Sequence, residues 1–335
     1  MPILVQRGLP AYKTLKQENV FVMQDRRAAK QDIRPLVIAV VNLMPLKEVT
    51  ETQLIRLLAN SPLQVELELL TLSSHTFTHV DPLHMETFYR RFVDIEKKRY
   101  DAMIITGAPI ETIPFEEVDY WEELKEIMDY ASENVFSTLY LCWGGQAGLY
   151  HHYGIDKQVL GKKLFGVFKH RIHDKKHVLT RGFDEEFFVP HSRWADVPRE
   201  AILEHPDLKI LADSEEAGVH MIATRNKRRI FLQGHCEYDW DTLKHEYERD
   251  LAKAEKGDKI QIPVNYYKND DPKRRVVVRW SGHANLFFSN WLNFVYQETP
   301  FDLADLSALK WRGTTVKADV PDVADALENL GGLGI

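Results

Sequence analysis

Cysteine is almost absent from this chain: Cys142 and Cys236 are the two in 335 residues. They are too few for a disulfide framework, so each thiol is either core or chemistry, and a reducing compartment is expected. Long apolar runs are missing as well. The longest, Leu36 to Val41, falls far short of the roughly 20 residues a membrane helix needs. Met1 to Tyr12 has no compact apolar stretch behind a basic start, so no secretory leader is expected and the cytoplasm is the expected location. An excess of positive charge is missing too, since 43 Lys and Arg stand against 50 Asp and Glu, a net charge of −7. That balance excludes a nucleic-acid or anionic-membrane surface as the main business of the chain, though not a local basic pocket for a phosphorylated cofactor. No internal repeat and no low-complexity tract is visible.

What is present is enough for a sizeable core. At 335 residues and 44% hydrophobic, the chain is at or just above the length where one core tends to divide, so one large domain with attachments is expected. Residues 1–34 mix Pro, Gly and charges without a clear period and read as a segment wrapping the outside. Residues 35–302 form the domain, and 303–335 a tail carrying one amphipathic stretch, Val323 to Leu330. Within the domain, Pro35 to Val41 is short, apolar and β-branched, a buried strand. A helix from Glu48 to Ala59 follows, then strands at Leu63 to Leu70 and Ala102 to Thr106. A helix is expected over Phe115 to Glu133, with Val118, Trp121, Leu124, Ile127 and Met128 on one face. A strand from Val135 to Leu141 ends at Cys142, and Gly144 to Tyr153 is helical. This β-α alternation predicts an α/β fold, an open and mainly parallel sheet flanked by helices. Further on, strands are expected at Lys209 to Leu211, Val219 to Thr224 and Arg229 to Gln233, with helices at Asp241 to Glu255 and Gly282 to Gln297.

The chemistry concentrates at Tyr140-Leu-Cys-Trp-Gly-Gly-Gln-Ala-Gly148. An apolar strand runs into Cys142, two glycines follow almost at once, and a helix begins. Ligands of open α/β sheets bind beyond the carboxyl ends of the strands, where this thiol lies. A sharp strand-to-helix turn exposes the side chain at its tip. The helix N-terminus favours the thiolate, and the backbone N–H of Trp143 is a candidate oxyanion donor. The alternative is a buried core cysteine. A second signal is Gln233-Gly-His-Cys-Glu237. If the strand continues through it, the two-residue period puts His235 and Glu237 on one side and Cys236 on the other. A thiol, a histidine and a carboxylate at two strand ends form the constellation of nucleophilic acyl transfer; a surface His and Glu near a hairpin end is the alternative.

Cys142-x-Gly144-x-Gln146 with His235-x-Glu237 resembles the class I glutamine amidotransferase superfamily, whose sheet is flavodoxin-like. Val41-Asn-Leu-Met-Pro-Leu-Lys47, Thr106-Gly-Ala-Pro109, Leu141 to Ala147, Gly161 to Val167, Pro190-His-Ser-Arg-Trp194 and Tyr247-Glu-Arg-Asp250 narrow it. Together they resemble the homoserine O-succinyltransferase/O-acetyltransferase family of methionine biosynthesis, over about Met1 to Asp302. The resemblance implies that Cys142 takes an acyl group from acyl-CoA as a thioester, with His235 as general base held by Glu237. Lys163, Ser192 and Arg249 match substrate-binding positions, and Lys47 and the Gly107 backbone would aid acyl-CoA or the oxyanion. In the family, Glu at the position of Glu111 accompanies acetyl-CoA and Gly accompanies succinyl-CoA. The implied activity is therefore homoserine O-acetylation, with acetyl-CoA as co-substrate, no resident cofactor and a homodimeric state.

Rival readings are a homoserine O-succinyltransferase, a glutaminase using the same triad, and a non-catalytic metabolite-binding module, which has no need of Cys, His and Glu at these strand ends. Gly144-Gly-x-x-Gly148 lacks the spacing of a dinucleotide turn, and Trp143 would crowd a pyrophosphate. His170, His173 and His177 lie among Lys169, Arg171, Lys175 and Lys176, which repel a cation, so a solvated basic loop is expected there and no metal site.

Overall fold

The computed structural model describes residues 3–6, 8–17, 22–24, 34–75, 80–254 and 260–308. The amphipathic stretch expected at Val323 to Leu330 lies outside them. In chain order the strands are β1 (Ile3–Val5), β2 (Val22–Gln24), β3 (Leu36–Val41), β4 (Val65–Thr71), β5 (Tyr89–Arg91), β6 (Tyr100–Ile105), β7 (Val135–Leu141), β8 (Gln158–Ile172), β9 (Glu186–Asp196), β10 (Leu208–Ser214), β11 (Gly218–Thr224) and β12 (Arg229–Leu232). The α-helices are α1 (Pro10–Gln17), α2 (Lys47–Leu58), α3 (Pro82–Phe88), α4 (Trp121–Asn134), α5 (Trp143–Tyr153), α6 (Arg199–Glu204), α7 (Thr242–Lys253) and α8 (Ser281–Glu298).

The strands join one sheet in the order β2-β1-β4-β3-β6-β7-β12-β11-β10-β8-β9, with β5 also pairing β4. From β2 to β12 every pairing is parallel. From β12 onward the pairings are antiparallel. The central strands are apolar at nearly every position because both faces are covered. Ile38 and Val40 of β3 join Ile104 of β6 and Leu139 of β7 in a core with Leu54 and Ile55 of α2 and Phe287, Trp291 and Val295 of α8. Their neighbours Ala39, Val41, Met103, Ile105 and Tyr140 point the other way, to Leu124, Ile127 and Met128 of α4 and Ala147 of α5. Two-residue alternation thus divides one strand between two helical layers. Each large side chain fully buried here contributes roughly 1.5–3 kcal/mol.

Three expectations change. The N-terminal segment adds two strands to the sheet edge, β1 with Ile3 and Leu4 opposite Val65 and Glu66 of β4 and β2 outside β1, and is more than a wrapping. The helix expected from Phe115 begins at Trp121, because Val118 is extended and isolates a short 3-10 turn at Phe115–Glu117. The largest omission is the β8–β9 hairpin. Pro190 is tolerated within it because β9 is the sheet's outer edge, where a missing N–H costs little. With β8 recognised, His170 is a buried strand residue, 1% exposed, and not part of a solvated loop.

Candidate active site

Strand pairing builds the site. β12 runs parallel to β7 with Leu232 opposite Leu141, so the segments after these two residues leave the sheet side by side. The Cys142 N–H donates to Leu232 O at 2.7 Å, and Cys142 O accepts from the Gln146 N–H at 3.0 Å. Between these ties Cys142 adopts φ 50°, ψ −116°, a conformation side chains avoid, and α5 starts at the next residue. Strain at the tip of a strand-to-helix turn is the mark of a nucleophile elbow. Gly144 permits it: a Cβ there would lie 2.6 Å from Thr106 O and 2.8 Å from Ile105 O. Gly107 sits against the same turn, since a Cβ on it would be 3.2 Å from the Cys142 Cβ and 3.4 Å from the Trp143 nitrogen.

His235 and Glu237 do not continue the strand. β12 stops at Leu232, and the pair lies in a tight turn in which the Tyr238 N–H donates to His235 O at 3.3 Å. The expected partnership is reached by that turn and not by the two-residue period. His235 Nδ1–H donates to Glu237 Oε1 at 2.6 Å, and the Cys142 sulfur faces the same imidazole. Burial alone would lower the pKa of His235, but the Cys142 sulfur and the Glu237 carboxylate outweigh it and hold the imidazole protonated well above its ordinary range. Burial pushes the Cys236 thiol well up, with Glu237 adding to it, so that sulfur stays a buried thiol.

The residues singled out as substrate-binding come together from three elements. Lys163 on β8 and Ser192 on β9 meet at a residue on α7 that sequence reasoning missed, Glu246, and Arg249 on the same helix joins them through Asp250. The Glu246 Oε2 accepts from the Lys163 Nζ at 3.2 Å and from the Ser192 hydroxyl, and its Oε1 accepts from the Tyr238 hydroxyl at 3.0 Å. Lys163 also reaches Asp250 Oδ2 at 3.4 Å and lies 4.0 Å from the centroid of the Phe165 ring. Arg249, half exposed, pairs at 2.8 Å with the other oxygen of Asp250. The available signal for Glu246 was its place one helical turn before Arg249.

Glu111 is buried at 8% exposure, and burial raises the pKa of its carboxyl while His235 and Lys163 oppose the rise. It therefore lies within electrostatic reach of His235 and Lys163. Lys47 is buried too, at 1% exposure, with its Nζ donating to Asn42 O. Burial drives its pKa down to about 7 against the pull of Glu51. A cavity of about 390 Å³ adjoins the Gly107 side, lined by Leu43, Pro45, Ala108, Pro109 and Ile110 among others.

An open, mostly parallel sheet flanked by helices, with a cysteine at a strained strand-to-helix turn and a His–Glu pair beyond the next strand end, defines the class by its fold: an open-sheet α/β protein. A solved protein titled SMU.1228c shares the fold with a TM-score of 0.51 and 17% identity, over 78% of this chain and 100% of its own. A glutamine amidotransferase from Thermotoga maritima aligns with a TM-score of 0.49 and 12% identity, over 78% of this chain and 99% of its own. The chain belongs to the homoserine O-succinyltransferase family, whose sequence model matches residues 2–301. Among its relatives, a homoserine O-acetyltransferase of Clostridium novyi is 56% identical over 90% of this chain and 99% of its own length. One of Bacteroides fragilis is 54% identical over 91% and 100%.

Proposed function

We propose that the chain is a homoserine O-acetyltransferase that carries the acetyl group on Cys142. Relatives of that name, 54–56% identical over nearly their whole length, support the activity. The observation that carries the mechanism is the geometry at the two strand ends, Cys142 at a strained turn and, beside it, His235 tied to Glu237 at 2.6 Å.

In the first half-reaction the Cys142 sulfur attacks the thioester carbonyl of acetyl-CoA. The developing oxyanion meets the N–H groups of Trp143 and Gly107, the carbon–sulfur bond to CoA breaks, and His235 gives its proton to the departing thiolate. The imidazole, now neutral, takes the proton from the homoserine hydroxyl as its oxygen attacks the Cys142 thioester. Collapse of the second tetrahedral species releases O-acetylhomoserine and returns Cys142. Glu237 keeps the imidazole oriented through both steps.

Homoserine arrives as a zwitterion, and the polar cluster offers both signs. Arg249 and Lys163 suit its carboxylate, while Glu246 and Asp250 suit its ammonium group. The apolar cavity beside Gly107 suits the pantetheine arm of the donor. Among the described residues no helix is long and apolar enough to cross a membrane, and a cytoplasmic place in methionine biosynthesis and a homodimeric state accompany this reading. The test is CoA release with acetyl-CoA or succinyl-CoA, with and without homoserine, beside ammonia release from glutamine. Turnover with acetyl-CoA and homoserine is expected; succinyl-CoA preference or glutaminase activity overturns the reading.

A further inference from the structure

Behind the catalytic turn lies a buried group the mechanism does not use. His170 on β8, His191 on β9 and His220 on β11 bring one ring nitrogen each within 4.8 Å of one another, and each is at most 1% exposed. Three histidines so placed invite a metal, but their hydrogen bonds assign the protons otherwise. His170 Nδ1–H donates to Phe168 O at 3.0 Å, so its Nε2 is bare and accepts from His191 Nε2–H at 3.1 Å. His191 Nδ1 in turn accepts from the Nε–H of Arg193 at 3.3 Å. His220 Nδ1 accepts the Gly234 N–H at 3.2 Å and leaves its proton on Nε2. A metal needs bare nitrogens pointing inward, and here the inner nitrogen of His191 carries its proton toward His170, beside the buried guanidinium of Arg193. The group is a proton-ordered network of neutral rings.

That network presses on the residue before the catalytic base. Three successive N–H groups fix the backbone there. Gln233 donates to His220 O at 2.8 Å, Gly234 to the His220 ring, and His235 to Pro190 O at 2.8 Å. Gly234 has no room for a side chain, since a Cβ would lie 2.6 Å from a Val189 methyl and 2.7 Å from His191 Nε2. We propose that His220, backed by the His170–His191–Arg193 chain, is a positioning residue that sets the His235 backbone against Cys142 through the Gly234 N–H. It touches no reacting atom. The proposal rests on His235 being the base. Burial is the largest cause lowering the pKa of all three rings, His170 to about 3 and the others well below their ordinary range. The charged groups facing them, Arg193 and His235, oppose protonation further, so burial and charge both favour the neutral ring that leaves His220 Nδ1 an acceptor.

The two ring nitrogens of His220 can be replaced separately. In the full chain, His220→Asn puts an amide oxygen near the Nδ1 position and keeps an acceptor for Gly234, whereas His220→Gln puts its polar end near Nε2 and loses it. Steady-state acetyl transfer is measured for both beside wild type and His235→Asn, with thermal midpoints. His220→Asn should stay within about threefold of wild-type kcat, and His220→Gln should lose about tenfold or more in kcat at unchanged KM for acetyl-CoA. The pH limb assigned to His235 should move in His220→Gln alone. Asn and Gln variants that behave alike, whether both active or both impaired, overturn the proposal while an inactive His235→Asn keeps the triad. An active His235→Asn removes the triad and this inference together.

Discussion

The imidazole of His235 lies flat on the phenol of Tyr238, ring centroids 4.1 Å apart and planes 17° from parallel. Tyr238 in turn donates its hydroxyl to Glu246, the centre of the polar cluster. One aromatic side chain therefore connects the base with the region assigned to homoserine, and stacking fixes the tilt of the ring that moves the proton.

Acylation should distinguish the two sulfurs. Brief treatment with acetyl-CoA, without homoserine, is expected to leave one acetyl group, on Cys142. Cys236, buried and with its thiol pKa pushed up beside Glu237, should stay unmodified. Peptide mass analysis locating the group on Cys236, or on neither, contradicts the thioester.

Glu246→Gln should act on the second half-reaction. The carboxylate receives Lys163, Ser192 and Tyr238, so the amide loses charge-assisted bonds worth about 1.5–3 kcal/mol each. Homoserine use should fall roughly ten- to a hundredfold, while thioester formation from acetyl-CoA persists. Arg249→Ala should show the same division. Equal loss in both half-reactions would assign these residues to the donor side.

Glu111 should exclude the longer donor by filling space. A succinyl group extends past the carbonyl by two methylenes and a carboxylate, toward a side chain that is buried and raised in pKa. Glu111→Gly is therefore expected to gain succinyl-CoA activity by about tenfold or more. Glu111→Gln keeps the volume without the charge and should stay acetyl-selective. A Gln variant as permissive as Gly would make charge the cause.

Lys47 gives a pH signature. Its folded pKa, about 7, lies below the ordinary 10.5, so between these values the unfolded chain binds more protons and stability rises with pH. Below pH 7 the penalty is fully present. From pH 7 to 9 this one group should add about 2 kcal/mol to unfolding stability in wild type, an increment that Lys47→Met should lack. Urea unfolding of both proteins at the two pH values decides it, and parallel pH dependence would show that Lys47 is charged when folded.

What the sequence alone determined was local. Leu36 to Val41 and Val135 to Leu141 are apolar along their length, and a short run covered on both faces can be little else than a central strand. The turn at Cys142 was equally legible, because strand, thiol, glycines and helix follow one another within a few residues. The β8–β9 hairpin was hidden because its charged residues and Pro190 suit an edge strand as well as a loop, and only the sheet order says which it is. Tertiary structure alone decided the rest of the site. His235 meets Glu237 through a turn rather than a strand, and Glu246 collects Lys163 from 83 residues away and Ser192 from 54. His170 became a buried neutral ring among His191 and His220, although its sequence neighbours are basic. A side chain's charge and partners depend on what is packed against it, and at these positions the packing neighbours come from distant strands that no local pattern of residues can name.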